Sequence, residues 1–502
     1  MSPPLESVTR GEVARGAALV ALSRASSLIE AVAQPLFIWL YGLASYGVYV
    51  VLWGAINLAE NVVDLSLTGA LQRIVPQEDE ETAHGAVKAA LLVTVIPAAL
   101  IALLVCLGAD RVASLVSAAP EDRARLPQMI AWFAWALPLW TFVEVATSAA
   151  RARRAFGPEI RLRLFWEQIA RILFATGFFA LGAGRFGLVA AHLASLTLTA
   201  ALCVPLLGRF YSWKRLLSAR AGGGVFRLLL VTGVALLPAN VSRRLLVDAP
   251  AVVINLLLPG ARGATAAGLF EIARKIATVP LSVRQAFQYV MAPLAAHQAR
   301  AGRDEIAPLY RFASRVSTAL VVPLAGLLAF AGRDILSLYR PEAMAALPLL
   351  AILVAARAAE AIVGPATPIV EMTGHRALPL VNSLVGAAAW ALLSLVLVPR
   401  FGAEGMAVSV GLATLAIAYA ATVELRVSDG LTPFDHKLFQ ALAAALAGLA
   451  LMYGAVQLLG GPLRVAALVL LWAAASWSAL RVGLTKSDRA ALGGFARAVR
   501  LV

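Results

Sequence analysis

Apolar residues form long stretches along almost the whole chain, while polar and charged residues are concentrated in short segments between them. A helix that crosses a bilayer needs about 20 predominantly apolar residues. The pattern therefore predicts an all-α polytopic membrane protein without a soluble domain large enough to carry an enzyme. About fourteen spans are predicted, at residues 14–40, 44–69, 86–109, 127–149, 164–183, 186–208, 226–258, 264–297, 310–331, 343–368, 378–399, 402–424, 436–459 and 463–483.

The composition agrees with this pattern. Of the 502 residues, 61% are hydrophobic and only 14% are charged, and the mean hydropathy is +0.82. Soluble domains carry about 25% charged residues. Cys106 and Cys203 lie inside apolar stretches and lack the spacing of metal ligands. We therefore expect no disulfide framework, no metal and no cofactor.

The net charge of +15 could indicate a nucleic-acid partner. The basic residues lie between apolar stretches rather than in one stripe, so they indicate membrane topology and no nucleic acid. With the N-terminus inside, two basic clusters and the C-terminal tail fall on the cytoplasmic side, as the positive-inside rule requires. We therefore expect both termini in the cytoplasm, with the first span kept as an anchor. The clusters are Arg151, Arg153, Arg154, Arg161 and Arg163, and Lys214, Arg215 and Arg220.

Short motifs recur along the chain at a nearly constant offset of about 215–221 residues. Ser23-Arg24 recurs as Ser242-Arg243, and Arg185-Phe186-Gly187 recurs as Arg400-Phe401-Gly402. An offset of six helices returns the chain to the same side of the membrane, so the halves are predicted to be parallel repeats.

This periodicity predicts an N-lobe of six spans at 14–222 and a C-lobe of six spans at 223–428. An appended helix pair follows at 429–485. The remaining segments, 1–13 and 486–502, are predicted to be cytoplasmic, the second as a basic tail.

Basic residues at mid-depth are the main candidates for binding, because a charge at the bilayer centre costs about 2.5–3.5 kcal/mol. Guanidinium groups bind phosphate oxygens bidentately, which favours an anionic substrate. The alternative is local ion pairing of Arg244 with Asp248, Lys275 with Glu271, and Arg357 with Glu360. Three of the arginines have no obvious local acid. The candidates are Arg24, Arg243, Arg244, Arg274, Lys275 and Arg357, of which Arg24, Arg243 and Arg274 lack such an acid.

Acidic residues within the spans are candidates for a proton or sodium site. Glu60 and Asp64 are one turn apart and would repel if both were ionised. Asp64 could instead lie near the inner interface and reach the headgroups. Glu30 and Asp248 are further candidates, whereas Glu144 is predicted to be structural.

Several functional classes lack their motifs. No GxxxxGK[ST] phosphate loop occurs, which argues against an ATP-driven subunit. The five histidines form no catalytic or metal-binding pattern, and no outer loop is long enough for a catalytic domain.

The run from Ser23-Arg24 through Tyr46-Gly47-Val48-Tyr49 to Asp64-Leu65-Ser66-Leu67 resembles the start of bacterial polysaccharide flippases. These belong to the multidrug/oligosaccharidyl-lipid/polysaccharide exporter superfamily. Gly268-Leu269-Phe270 and Pro399-Arg400-Phe401-Gly402 are similar to later segments of that family. Ser66 departs from the pattern, because the family often has glycine there, and this puts close packing at that point in question.

The resemblance implies two six-helix lobes around a cavity that opens alternately to each side of the bacterial cytoplasmic membrane. It also implies transport of an undecaprenyl-pyrophosphate-linked oligosaccharide for cell-surface polysaccharide, including lipopolysaccharide. Membrane lipids, H⁺ or Na⁺, and a polysaccharide polymerase or glycosyltransferase are the expected partners. Two alternatives stay open: a multidrug exporter, whose cavity should be acidic or aromatic, and a non-transporting scaffold in which the charges are merely paired.

Overall fold

A computed structural model describes residues 29, 32–155, 157–219, 223–281, 303–372 and 377–491. Within these ranges the regular structure is helical, with no strand. The helices are α1 (Val32–Tyr41), α2 (Leu43–Val63), α3 (Leu67–Ile74), α4 (Glu80–Leu107), α5 (Ala109–Leu115), α6 (Pro120–Arg123), α7 (Leu126–Phe133), α8 (Ala136–Ala152), α9 (Gly157–Glu159), α10 (Glu167–Ala180), α11 (Gly187–Phe210), α12 (Trp213–Ser218), α13 (Gly223–Leu257), α14 (Ala261–Ile276), α15 (Arg303–Phe330), α16 (Gly332–Leu336), α17 (Leu347–Ile362), α18 (Ala366–Met372), α19 (Leu378–Asp429), α20 (His436–Leu458), α21 (Gly461–Gly483) and α22 (Lys486–Ala491).

Ten helical segments in the described ranges are long and apolar enough to cross a membrane. Many large apolar side chains on them are exposed, Leu104 and Leu458 among them, as expected for surfaces in contact with lipid. The chain is therefore an α-helical multi-pass membrane protein. The count of fourteen spans stays a prediction, because parts of the first and eighth predicted spans lie outside the described residues and α10 is short.

The chain divides into two compact units. Unit 1 comprises residues 1–244 and 260–264, and unit 2 comprises residues 245–259 and 265–502. The division therefore falls inside α13, just after Arg244. The predicted division into lobes of six spans and an appended pair stays a prediction.

In unit 1, α8 packs on both α4 and α11, and small and aliphatic side chains such as Ala86, Val145 and Leu207 belong to one buried cluster. The turn after α2 lies against α13 in the same unit. Leu65 and Ser66 both have left-handed backbone there, with φ of 48° and 57°. A Cβ on Gly233 of α13 would lie 2.6 Å from the Leu65 carbonyl oxygen, so α13 can approach this turn only with glycine at that position.

This contact shows how close packing is possible with serine at position 66. Ser66 is buried and its hydroxyl accepts a hydrogen bond of 2.9 Å from the Asn240 side chain. Close packing is kept because the glycine stands on the neighbouring helix, at Gly233, and the serine hydroxyl gains a partner.

In unit 2, α15 packs on α17, α20 and α21. Gly448 of α20 and Gly483 of α21 allow this last pair to approach closely: an added Cβ would lie 2.2 Å from the Ala475 Cβ and 2.5 Å from the Ala441 Cβ, respectively. Helix α19 bends at Gly402, whose φ of 60° is outside the helical region. The bend separates the two spans that were predicted at 378–399 and 402–424.

Candidate functional site

The predicted basic layer is only partly described. Arg24 and Glu30 lie outside the described residues, as does the side chain of Arg243. Arg244 is exposed and lies in the middle third of α13, with apolar segments on both sides. An exposed guanidinium group at such a position is costly in hydrocarbon, so its surroundings must supply water or anionic groups.

In unit 2, Arg274 of α14 pairs with an acid on its own helix. Its Nη2 and Nε donate to the two carboxylate oxygens of Glu271 at 2.6 and 2.7 Å. The sequence had suggested Glu271 as the partner of Lys275 and had left Arg274 without a local acid. That expectation for Arg274 was wrong: the bidentate geometry of a guanidinium fork favours the i−3 carboxylate.

Arg357 of α17 follows the prediction of local pairing. Its Nη1 donates to Glu360 Oε2 at 2.8 Å. Both arginines of unit 2 in the candidate set are therefore neutralised within their own helix. For these two residues, the local-pairing alternative holds.

An acidic cluster lies in unit 1 around the end of α2. Glu60, Asp64 and Glu144 are 5%, 8% and 7% exposed. The Asp64 carboxylate accepts hydrogen bonds from the Thr68 hydroxyl at 2.8 Å and the Thr68 backbone N–H at 3.3 Å. Within the described part of the chain, the Glu60 carboxylate accepts no hydrogen bond, although Arg244 lies within range of its charge.

Glu144 is held by Arg163, which links three segments of unit 1. Arg163 Nη1 donates to Glu144 at 2.9 Å and to Glu159 at 3.2 Å. Arg151 donates to the same Glu159 oxygen at 2.7 Å, and the Arg163 guanidinium lies 4.5 Å from the Trp140 ring centroid. These contacts support the structural role predicted for Glu144. Glu60 remains the buried acid of this cluster without a described hydrogen-bond partner.

A second polar network in unit 1 was not predicted from the sequence. Both Nη2 and Nε of Arg171 donate to Glu167 on the same helix, at 2.7 to 3.1 Å, and Nη1 donates to the Tyr49 hydroxyl at 3.1 Å. The Ser195 hydroxyl also donates to Glu167, at 3.2 Å. His192 is fully buried, with its Nδ1 3.0 Å from the Tyr49 hydroxyl and its Nε2 3.8 Å from Glu167 Oε1.

This network lies deep in the membrane region. Arg171 precedes the end of α10 by roughly 14 Å at 1.5 Å per residue, which is about half of a 30 Å hydrocarbon core. The i, i+4 spacing of Glu167 and Arg171 within an apolar stretch was the available signal. The contacts of Tyr49, His192 and Ser195 had no such signal, because they come from other helices.

Comparisons with known proteins agree with this architecture. A sequence profile of a family described as "Polysaccharide biosynthesis protein" matches residues 40–339. No protein of curated function matches the chain significantly.

Solved structures share the fold at low sequence identity. The lipid II flippase MurJ in an inward closed conformation superposes with a TM-score of 0.71 at 10% identity, over 92% of this chain and 98% of that protein. An inward-facing multidrug resistance transporter of the MATE family, in the MOP superfamily, gives 0.63 at 13% identity, over 82% and 94%. A MOP superfamily transporter from Pyrococcus furiosus, described as having a binding pocket of reverse polarity, gives 0.54 at 13% identity, over 82% and 94%.

The profile match covers more than half of the chain, and the structural similarity covers nearly all of it. The chain therefore belongs to the polysaccharide biosynthesis protein family and has the polytopic helical fold of MurJ and the MATE transporters.

Proposed function

We propose that the protein is a flippase that carries an undecaprenyl-pyrophosphate-linked oligosaccharide across the bacterial cytoplasmic membrane, by alternating access, for cell-surface polysaccharide synthesis. Both termini would lie in the cytoplasm, and the six-plus-six-plus-two plan of spans would supply the two lobes that move. Family membership and the fold shared with a lipid II flippase support this proposal.

The exposed position of Arg244 in α13 is the observation that carries the substrate assignment. Its exposed guanidinium group presents donors in a fork geometry that matches the oxygens of a pyrophosphate, the anionic group of a lipid-linked sugar. Arg24 and Arg243 belong to the same proposed layer. Arg274 and Arg357 contribute less free positive charge, since each is paired with an acid on its own helix.

Energy coupling is proposed to involve Glu60. A buried carboxylate with no described hydrogen-bond donor is costly when ionised, so it favours binding a proton or Na⁺. Asp64 and Glu144 increase the negative potential around Glu60, while Arg244 and Arg163 oppose it. Changes in the position of Arg244 would therefore change the ion affinity of Glu60, which links the proposed substrate site to the proposed ion site.

The test is transport by the purified full-length chain in proteoliposomes, with a fluorescent undecaprenyl-pyrophosphate oligosaccharide as substrate. We expect Arg244→Gln, and Arg24→Ala with Arg243→Ala, to reduce flipping at least tenfold. Arg426→Gln removes an exposed charge from the last turn of α19 and serves as the matched control. Unchanged flipping in the arginine variants, at equal protein level, would contradict the substrate site.

The role of Glu60 is measured separately, by imposing a pH or Na⁺ gradient on the same vesicles. Glu60→Gln should abolish the response of the flipping rate to the gradient, whereas Glu81→Gln, an exposed acid on α4, should keep it. A gradient response that survives in Glu60→Gln would assign coupling to another residue. If the flipping rate of the unaltered chain responds to neither the pH gradient nor the Na⁺ gradient, the substrate gradient would remain as the driving force.

A multidrug exporter is the second candidate, because the cluster of Glu60, Asp64 and Glu144 could attract an organic cation. Ethidium efflux in the same vesicles distinguishes the two functions. Efflux that depends on Glu60, without flipping of the lipid-linked sugar, would favour the exporter.

A further inference from the structure

A groove in unit 1 lies beside the basic cluster of Arg151 to Arg163, which is predicted to be cytoplasmic, and outside the polar networks described above. It has a volume of about 440 Å³ and is formed by the segment before α10 and the second half of α11. Its walls are apolar, with Leu162 and Trp166 on one side and Leu202, Pro205 and Leu206 on the other. Small-molecule sites have volumes of roughly 300–1,000 Å³, so the groove can hold part of a lipid.

The local backbone explains why a groove forms here. The segment Ile160–Trp166 is a π-helix, whose i→i+5 hydrogen bonds make each turn wider than in an α-helix. Pro205 lies inside α11, where it lacks a backbone N–H and so removes one hydrogen bond of the helix. Single π turns in helices are frequent at functional sites.

Two arginines line the groove, Arg161 at the start of the π-helix and Arg209 in the last turn of α11. Both are exposed, and neither has an ion pair or side-chain hydrogen bond with any residue that the structure describes. Their neighbours differ: Arg151 and Arg163 pair with Glu159, and Arg153 pairs with Glu80. The acids of this region therefore neutralise Arg151, Arg153 and Arg163 and leave the charge at the groove uncompensated.

We propose that this groove binds an anionic glycerophospholipid of the inner leaflet. Arg161 and Arg209 would hold the phosphate, while an acyl chain would lie along Leu162, Trp166 and Leu202. Basic pockets between transmembrane helices on the cytoplasmic side suit anionic headgroups, and tryptophan prefers the membrane interface. A free phosphate ion would use the arginines alone and would leave the apolar walls without a partner.

Such a lipid would affect the rest of unit 1 through the π-helix. Arg163, which holds Glu144 and Glu159, lies in this same segment of seven residues. A lipid held by Arg161 would stabilise the segment and, with it, the ion pairs of Arg163. The bound lipid is therefore expected to raise the thermal stability of the protein, independently of any transport activity.

The experiment uses the purified full-length chain in neutral detergent, with the thermal unfolding midpoint measured against added lipid. Phosphatidylglycerol should raise the midpoint saturably, whereas phosphatidylcholine and inorganic phosphate should not. Arg161→Gln with Arg209→Gln should weaken the apparent phosphatidylglycerol affinity at least tenfold. Lys214→Gln with Arg215→Gln removes the same charge from exposed positions on α12 and should leave the response unchanged.

A third variant tests the acyl-chain part of the groove. Leu202→Trp fills the apolar wall at an exposed position and should reduce the response to phosphatidylglycerol while both arginines are intact. The proposal is overturned if the arginine pair and the α12 control lose the response equally, or if inorganic phosphate stabilises as well as the lipid does. It is also overturned if Leu202→Trp has no effect. None of these readouts depends on flipping, so the groove and the proposed function can fail separately.

Discussion

The Arg171 network of unit 1 and the arginine pairs of α14 and α17 in unit 2 hold their charges in different ways. In unit 1, Arg171 contacts Tyr49 on α2 as well as Glu167 on its own helix, and Ser195 of α11 also donates to Glu167. In unit 2, Arg274 and Arg357 each pair with an acid three residues away on the same helix. The first arrangement joins several helices, whereas the second forms within one helix.

The difference matters for both stability and function. A network across helices fixes the packing of unit 1, because each polar group would be left unpaired in hydrocarbon if a helix moved. A pair within one helix moves with that helix and constrains its neighbours little. Pairs such as those of Arg274 and Arg357 are thus compatible with helices that shift in the proposed transport cycle, although they offer less free charge to a substrate.

The largest expected effect is from breaking the network in unit 1. Glu167→Gln leaves the buried Arg171 guanidinium without its counter-charge, which should cost about 3–5 kcal/mol of stability. Glu271→Gln removes the acid from a more exposed arginine and should cost clearly less. The stability of both variants is measured as the thermal unfolding midpoint of the purified protein in detergent.

A double variant tests whether the loss of stability comes from the unpaired charge or from altered packing. Glu167→Leu with Arg171→Met replaces the buried pair by apolar side chains and should recover much of the lost stability. Equal losses of stability in Glu167→Gln and Glu271→Gln would remove the distinction between the network across helices and the pair within one helix.

Charge reversal should affect the two ion pairs unequally. Exchange of the pair in α17, Arg357→Glu with Glu360→Arg, should change stability by only about 0.5 kcal/mol, because the i, i+3 contact can re-form on the same helix face. The corresponding exchange of Glu167 and Arg171 should not fold well, since position 167 is 2% exposed and accepts the Ser195 hydrogen bond. The two charge-exchanged variants are compared by their yields of monodisperse protein. A well-folded variant with Glu167 and Arg171 exchanged would contradict the interpretation.

A moderate effect is expected for a charge network in unit 2 that joins distant segments. Arg315 of α15 donates to Asp435, the N-cap residue of α20, and to Asp488 of α22 at 2.5 Å. Burial raises the pKa of Asp435, but the hydrogen bonds from Arg315 and the Leu438 N–H outweigh it and hold the pKa below its ordinary value.

Because the folded-state pKa is lowered, Asp435 stabilises the protein above its unfolded-state pKa of about 3.9, and the stabilisation is lost as the pH falls through the folded-state pKa. Asp435→Asn should therefore lower the unfolding midpoint at pH 7 by a few degrees. The difference from the unaltered chain should narrow below about pH 4. A difference that stays constant down to pH 3 would show that the carboxylate charge is not involved.

Much of the fold could be read from the sequence, because hydrocarbon allows a backbone to cross it only as a helix or a closed barrel. The length of an apolar stretch then nearly defines a span. The bend at Gly402 falls where the repeated Arg-Phe-Gly motif placed a connection. The pair of Arg357 and Glu360 was also readable, since positions three apart on a helix are always neighbours.

Other contacts depended on the packing of helices far apart in the sequence. Nothing near His192 indicated that it would be buried beside Tyr49 and Glu167, and nothing near Ser66 indicated Gly233 or Asn240. Even the pairing of Glu271 with Arg274 rather than with Lys275 could be identified only from the side-chain geometry. The sequence by itself determined that the chain is a helical membrane protein, because solvation by lipid depends on local composition. Only the tertiary structure decided which buried charges are neutralised and which remain at a site, because that depends on side chains from different helices meeting within a few ångströms.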